Sequence, residues 1–265
     1  MRDESITFSF GENWSDFVTG VNAEIMEGAR QDLEAWLDKE DVAGKTVLDI
    51  GSGSGIHSSA LLALGASRLR SFDYDPHSVS ATRKMYESAG KPDNWEVSEG
   101  SVLDKEFVSS LGTYDLVYSW GVLHHTGSMW EAIENAISCV KPGGKFFIAL
   151  YAAGPRFEAD LALKQKYNAA SPQGKRMMEY RWIANLMHQR LMAGKNPFGW
   201  NEKRIRGMNV YHDLVDWLGG LPYEVASEDE TVVFCRTRNL VLDRIKVYGE
   251  GACNIFVFSM PDNQG

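Results

Sequence analysis

The chain has 265 residues, of which 44% are hydrophobic, so it can build a packed core and is not a disordered chain. Its formal net charge is −9, without a lysine- or arginine-rich run, so nucleic acid is not an expected partner. The three cysteines are scattered and the N-terminal residues have no apolar signal core. We therefore expect a cytoplasmic protein with free thiols and without membrane insertion.

Strand-like and helix-like segments alternate between residues 41 and 151. Strands are predicted at residues 45–50, 68–73, 95–98, 114–119 and 145–151. A helix should follow the first strand, another should open at Pro76, and a third should run from a capping Ser128 to Cys139. This alternation predicts an α/β fold with a doubly wound, mostly parallel sheet.

The remaining residues are predicted to complete one domain. Residues 1–40 form an N-terminal cap, helical from about residue 14 to residue 37. Residues 152–222, here called the lid, are too long for a simple connection, and we expect a helical insertion over the carboxyl end of the sheet. Residues 223–265 supply a helix and two strands, 240–247 and 254–260, which close a seven-stranded sheet as a hairpin.

A glycine-rich segment, VLDIGSGSG, joins the first strand to the following helix. Gly51, Gly53 and Gly55 let the backbone turn tightly and approach a ligand, and the helix N-terminus adds N–H groups. Asp49 can bind an amine or orient the loop. A nicotinamide-binding loop would place its third glycine where Ile56 stands, so this segment disfavours a nicotinamide oxidoreductase.

An acidic residue ends the second strand, in the sequence RSFDYDP. Asp73 is placed to accept hydrogen bonds from both hydroxyls of a ribose, as in dinucleotide-binding folds. Asp75, directly before Pro76, suits a helix cap better.

Five motifs in this order resemble those of the class I S-adenosylmethionine-dependent methyltransferases. They are DIGSGSG, FDYD, EGSVLD, YDLVYSWGVLHHT and VKPGGKFFI. The nearest type is the ubiquinone-biosynthesis O-methyltransferase. The resemblance covers residues 44–151 well and the terminal hairpin loosely, and it barely reaches residues 1–40 or the lid. It implies a Rossmann-like methyltransferase fold and S-adenosyl-L-methionine as the cofactor.

The resemblance also implies a set of cofactor contacts. The methionine part would lie on the loop formed by Asp49, Gly51, Ser52, Gly53 and Gly55. The ribose and adenine would lie against Asp73, Tyr74, Ser101 and Val102, and the amino-acid end would lie near Trp120. His57, in the first turn of the next helix, is either a further contact or a solvated helix residue.

Methyl transfer needs an acceptor held in line with the donor and, for an oxygen acceptor, a base. His124 and His125 follow the fourth strand, where ligands bind in open sheets, and His125 is the stronger candidate base. The alternative is that both histidines only pack or bind loop backbone. Two adjacent histidines do not suit a shared metal ion, and no metal site is expected.

Three further residues are candidates for the acceptor site. Arg206 in the lid would bind an anionic group and His212 would act as a base, whereas Asp213 beside them suits a capped surface helix. Tyr151 ends the fifth strand and should point to the same opening. In the N-terminal cap, Trp14 is either part of a flap over the cofactor or a packing contact.

The sequence thus predicts a methyltransferase for a small molecule, with oxygen the expected acceptor atom. An N-methyltransferase acting on an amine or amino sugar has the same cofactor motifs. A nicotinamide-dependent oxidoreductase and a non-catalytic cofactor-binding scaffold are weaker alternatives. The chain is expected to be a monomer or a homodimer.

Overall fold

The computed structural model describes Phe10, Gly11, Trp14, residues 21–201 and residues 210–262. In this part of the chain one seven-stranded sheet has the order β3-β2-β1-β4-β5-β7-β6. The strands are β1 Thr46–Ile50, β2 Arg68–Asp73, β3 Trp95–Glu99, β4 Tyr114–Trp120, β5 Val140–Tyr151, β6 Val241–Lys246 and β7 Cys253–Ser259. The predicted α/β fold, with five parallel strands and a terminal hairpin, is confirmed.

Helices cover both faces of the sheet. The α-helices of the described residues are α1 Ala23–Glu34, α2 Lys39–Val42, α3 Ile56–Ala63, α4 Pro76–Ser88, α5 Lys105–Leu111, α6 Met129–Ile137, α7 Phe157–Ala169, α8 Pro172–Met192, α9 Val210–Gly219 and α10 Glu228–Arg236. Buried residues of α1, α3 and α4 pack on one face, and those of α5, α6 and α10 pack on the other. The central strands are therefore buried on both sides, which explains their continuous apolar sequence.

The strand order reverses between β1 and β4. The chain goes from β1 outward to β2 and β3, then returns to place β4 on the other side of β1. In open α/β sheets such a switch point leaves a crevice at the carboxyl ends of the strands, where ligands bind. The glycine-rich segment and the two histidines both follow these central strands.

Two local predictions are corrected by the structure. Ser128 precedes α6, but its side chain makes no capping hydrogen bond. The N–H of Met129, at the start of α6, instead donates to the carboxylate of Glu224, at 3.1 and 3.2 Å to its two oxygens. Strand β5 begins at Val140 rather than residue 145, because the Lys-Pro-Gly-Gly segment already runs beside β4 with an irregular register.

The lid contributes three helices, α7, α8 and α9, between β5 and α10. The helical insertion expected for residues 152–222 therefore consists of these three helices in the described residues. They enclose a small apolar cluster of their own around Tyr167, Leu214 and Leu218. Among the described residues, no helix combines the length and the apolar character that crossing a bilayer requires.

Candidate active site

A large cavity lies at the carboxyl ends of β1, β2, β4 and β5. Its volume is about 1850 Å³. Ligand pockets usually measure roughly 300–1,000 Å³, so this cavity has room for two molecules. The sheet ends and the glycine-rich loop form one part of its lining, and another part, here called the cover, consists of Phe10, Trp14 and residues of helices α7 and α9.

The glycine-rich loop turns in conformations that favour glycine. Gly51 has φ +75° and Gly53 has φ +54°, both in the left-handed region. A Cβ atom on Gly51 would lie 2.4 Å from the side chain of Val122, just before the two histidines. The loop is therefore packed directly against the segment that carries the two histidines, so the glycine-loop side and the histidine side of the cavity are in contact.

A threonine of α4 holds this loop from below. The hydroxyl of Thr82 donates to the carbonyl of Gly53 at 3.0 Å and lies 2.8 Å from the hydroxyl of Ser52. A Cβ on Gly55 would lie 2.9 Å from the Cα of Thr82, and Gly55 is outside the cavity wall. Gly55 thus allows α4 to approach the loop, while Gly51, Ser52 and Gly53 face the ligand space. The sequence gives no signal for this role of Thr82, because a threonine inside a helix carries no motif.

Two carboxylates lie beside the loop, that of Asp49 buried and that of Asp73 partly buried. Asp73 accepts the N–H of Gly53 and the N–H of Asp75, each at 2.9 Å. Burial raises the pKa of Asp73 to about 6, although these backbone hydrogen bonds oppose the rise. Asp49 accepts the hydroxyl of Ser58, and burial raises its pKa to about 7.

These residues fit the cofactor that the resemblance implies. The loop leaves no room for side chains at Gly51 and Gly53, so its backbone is exposed to the cavity, and the carboxylates of Asp49 and Asp73 line the same wall. A ligand with a positive charge and a ribose is suited to this wall, because it would compensate the acids and hydrogen-bond to them. Asp75 caps α4 through the N–H of His77 at 2.8 Å, as the sequence predicted.

The other predicted cofactor contacts also line the cavity. Tyr74 is half-exposed beside Asp73, and Ser101 and Val102 lie along the next strand end. Trp120 is the last residue of β4 and lies in the wall as well. Their roles toward adenine or the amino-acid end stay predictions, but the structure brings them all to one cavity.

His57 is a buried residue rather than a solvated one. Its Nδ1 atom lies 3.0 Å from the hydroxyl of Tyr118, and its Nε2 atom lies 3.6 Å from the carboxylate of Asp32. All three side chains line the cavity. The sequence indicated neither Asp32 nor Tyr118, since they come from α1 and from the middle of β4.

The N-terminal residues contact both ends of the cavity. The indole Nε1 of Trp14 lies 3.2 Å from the position of a Cβ on Gly53, so Trp14 covers the glycine loop. The ring centroid of Phe10 lies 5.0 Å from that of His125. Trp14 is therefore a cavity residue, as the flap interpretation requires.

The two histidines have opposite hydrogen-bonding patterns. Nδ1 of His125 lies 2.7 Å from the carbonyl oxygen of Pro222, so Nδ1 carries the proton. Nδ1 of His124 accepts the N–H of Tyr151 at 3.3 Å, so in the neutral ring Nε2 carries the proton. Burial lowers the pKa of His125 to about 3 and that of His124 well below its usual value. Both rings are thus neutral, and His125 keeps an Nε2 lone pair.

The lid places its predicted residues differently. On α9, Asp213, Leu214 and Trp217 line the cavity, whereas His212 does not. Arg206 lies outside the described residues. Tyr151 does line the cavity, and burial raises its pKa well above the usual value.

A family model described as a methyltransferase domain matches residues 23–194 of the chain. A ubiquinone biosynthesis O-methyltransferase of Methylobacterium sp. (strain 4-46) is 33% identical over 113 residues, 43% of this chain and 43% of that protein. A ribosomal protein L11 methyltransferase of Photobacterium profundum is 32% identical over 43% of this chain and 36% of its own length. The matched region thus spans less than half of either relative.

Solved structures show the same fold at low sequence identity. A magnesium protoporphyrin IX methyltransferase from Synechocystis PCC 6803, solved with bound S-adenosylhomocysteine, has a TM-score of 0.55 and 16% identity. The alignment covers 94% of this chain and 93% of that one. An O-methyltransferase family protein from Burkholderia thailandensis has a TM-score of 0.54 and 16% identity over 88% of this chain and 55% of its own.

Proposed function

Because the chain belongs to the class I S-adenosylmethionine-dependent methyltransferase family, we propose that it transfers the methyl group of this cofactor to a hydroxyl oxygen of a small molecule. The observation that carries the proposal is the hydrogen bond from Nδ1 of His125 to the carbonyl of Pro222. This bond fixes the ring with its Nε2 lone pair available in a cavity that also contains the cofactor loop. When bound, the cofactor supplies an activated methyl group on a sulfonium.

The residues of this chain then have three tasks. The loop from Gly51 to Gly53, with Asp49 and Asp73 beside it, binds and orients the cofactor. The aromatic residues of the cover exclude water from the cavity. His125 accepts the proton of the acceptor hydroxyl at Nε2 as the new carbon–oxygen bond forms. Because burial disfavours the charged imidazolium, His125 releases this proton to solvent when the product leaves.

A small molecule is favoured over a protein or nucleic acid. Residues of the N-terminal cap and of the lid line much of the cavity, which favours an acceptor small enough to bind between them. Matches to ribosomal protein L11 and tRNA U34 modifying enzymes cover 43% and 40% of the chain and say little about the lid. The net charge of −9 also gives no general attraction to phosphate backbones. The same proposal includes a single domain made of the N-terminal cap, the cofactor-binding core and the lid.

N-methylation of an amine has one observation in its favour. The carboxylates of Asp160, Asp216 and Glu250 line the lid side of the cavity, where a cationic amine would be attracted. A neutral amine needs less help from a base than a hydroxyl does. Loss of the His125 base should therefore slow O-methylation more than N-methylation. Mass spectrometry of products from paired acceptors, each pair differing only in a hydroxyl or an amino group, separates them.

Calorimetry with S-adenosylhomocysteine tests the cofactor assignment. We expect binding by the wild-type chain and at least about tenfold weaker binding by Asp73→Asn, which cannot accept two backbone N–H groups and a ribose equally well. Asp93→Asn, at an exposed position away from the cavity, is the matched control. Absence of binding by the wild-type chain, or tight binding of a nicotinamide dinucleotide instead, would overturn the proposal.

A further inference from the structure

Lys164 of α7 is a fully buried lysine. It lies behind the part of the cavity wall formed by Tyr151, Trp217 and Tyr223, here called the acceptor wall. Its ammonium lies 4.5 Å from the ring centroid of Trp217, 4.6 Å from that of Tyr223 and 5.6 Å from that of Tyr151. These distances are within the range of cation–π attraction. All three rings line the cavity, so a single charged group contacts the back of three wall residues.

Lys164 also joins two lid helices. Its ammonium donates to the carbonyl of Trp217 in the last turn of α9. Asn168, one turn further along α7, donates to the carbonyl of Gly219 at 2.8 Å. Helix ends leave such carbonyls without partners, so both residues cap α9. Asn168 needs no charge for this task, and capping alone therefore does not explain a buried ammonium.

The charged and titratable groups around Lys164 come from several elements. They are Asp160 on α7, Asp216 on α9, Tyr151 at the end of β5, Cys253 on β7, Tyr223, His124 and His125. Asp160 is itself 3.3 Å from Arg156. Burial lowers the pKa of Lys164 to about 7, and its positive charge in turn lowers the pKa of both histidines. Burial of this charge is costly, and the lowered pKa indicates that the surrounding groups offset the cost only in part.

A short path connects Lys164 to the candidate base. Tyr223, which contacts the ammonium, follows Pro222, and the carbonyl of Pro222 accepts the Nδ1 proton of His125. Tyr223 also lies edge-on to Tyr151, with 5.3 Å between ring centroids. Movement of the Tyr223 ring would therefore displace the group that fixes the His125 tautomer.

We propose that Lys164 is a positioning residue of the acceptor site, which holds the three wall rings in place and keeps the His125 ring oriented. This inference rests on the proposed function, because it assigns Lys164 a role toward the same acceptor. Lys164 acts through Trp217, Tyr223 and Pro222 and does not touch the acceptor itself.

The test compares Lys164→Met, which has similar length without charge, with Lys164→Arg, which keeps the charge. Lys166→Met removes a lysine from an exposed position of the same helix and is the matched control. Long-range ¹H–¹⁵N NMR of the imidazoles at about pH 5.5, where Lys164 is protonated, reports which ring nitrogen carries the proton, and the chain has only six histidines to assign. Calorimetry with S-adenosylhomocysteine is run on every variant.

We expect His125 to show one tautomer in the wild type, Lys164→Arg and Lys166→Met, and a mixture in Lys164→Met. The affinity for S-adenosylhomocysteine should stay within about twofold in all of them, because Lys164 lies on the acceptor side. An unchanged His125 spectrum in folded Lys164→Met would overturn the proposal. Failure of the wild type to bind S-adenosylhomocysteine would instead overturn the proposed function and leave the NMR result readable.

If Lys164→Met does not fold, the wild-type chain provides the second measurement. The His125 and Tyr223 resonances should shift together as Lys164 loses its proton between about pH 6 and pH 8. This shift should persist in Lys166→Met. Resonances that stay constant across this range would show that Lys164 does not act on the histidine.

Discussion

Nδ1 of His125 lies 2.7 Å from the carbonyl oxygen of Pro222, 97 residues further along the chain. A carbonyl only accepts hydrogen bonds, so this contact decides which nitrogen of the neutral ring is protonated. It also ties the histidine segment after β4 to the C-terminal end of the lid. The orientation of the candidate base therefore depends on how the lid is folded.

Substitution of His125 by Gln should slow methyl transfer by about 10²-fold, since a positioned base contributes roughly 10²–10⁴. Glutamine can still donate to Pro222, but it cannot accept a proton. The measurement is the acceptor-dependent release of S-adenosylhomocysteine. His188→Gln, at an exposed position of α8, should keep the wild-type rate. A His125→Gln enzyme with full activity would refute the assignment and favour an acceptor that needs no base.

Substitution of Gly51 by Ala should abolish cofactor binding, because the new Cβ would lie 2.4 Å from the Val122 side chain at a φ of +75°. Gly90→Ala separates the two causes. Gly90 has a similar φ of +85°, but nothing lies within 4 Å of its added Cβ. We expect Gly90→Ala to cost about 1 kcal/mol in free energy of unfolding and to bind S-adenosylhomocysteine normally. Equal effects of both substitutions on binding would contradict the steric explanation.

The free energy of unfolding of the ligand-free protein should decrease from about pH 4 to pH 7 because of the ionisation of Asp49. Burial raises the pKa of Asp49 to about 7 in the folded state, above its value of about 3.9 in an unfolded chain. The folded state then binds more protons in this range, and its stability falls as pH rises. Asp49→Asn should therefore melt roughly 5 °C higher than the wild type at pH 8, with little difference at pH 4.

Asp115 provides a control of opposite sign for this measurement. Although burial alone would raise the pKa of Asp115, hydrogen bonds from Thr46 and Lys141 lower it. Asp115→Asn should then lose stability mainly above pH 4, where the carboxylate is ionised. Melting-temperature differences that do not depend on pH for either variant would contradict both assignments.

Substitution of Thr82 by Val should loosen the glycine loop. The change keeps the shape of the side chain and leaves the carbonyl of Gly53 without its hydrogen bond, at a cost of about 1–3 kcal/mol in free energy of unfolding. Affinity for S-adenosylhomocysteine should fall at least about threefold, measured by calorimetry alongside thermal unfolding. Thr82→Ser keeps the hydroxyl and should retain most of the affinity. If valine and serine behave alike, the hydroxyl does not hold the loop.

Features that depend on neighbouring residues could be predicted from the sequence. The strand, glycine turn and helix around Gly51 follow from local backbone preferences, and Asp75 caps α4 because its side chain reaches the first N–H groups of that helix. The apolar strands and the terminal hairpin were predicted for similar reasons. The exception is Ser128, where the distant carboxylate of Glu224 binds the helix end instead.

Features that depend on distant residues could not be predicted. Thr82 supports Gly53 from a helix 29 residues later, and His125 finds Pro222 only once the lid is folded. The burial of Lys164 has no local signal, because nothing in its vicinity along the chain shows that three rings from separate elements surround it. His212 was predicted from residue type alone, whereas its place on α9 decides which way it faces.

The N-terminal residues have a kinetic consequence. The N–H of Gly11 donates to Asp75 at 2.9 Å, Trp14 covers Gly53, and the ring of Phe10 packs on His125. Residues close together in the sequence thus touch both the glycine-rich loop and the candidate base of the same cavity. Two ligands that share such a cover do not enter or leave independently. Product inhibition patterns should therefore show an ordered rather than a random sequence of binding.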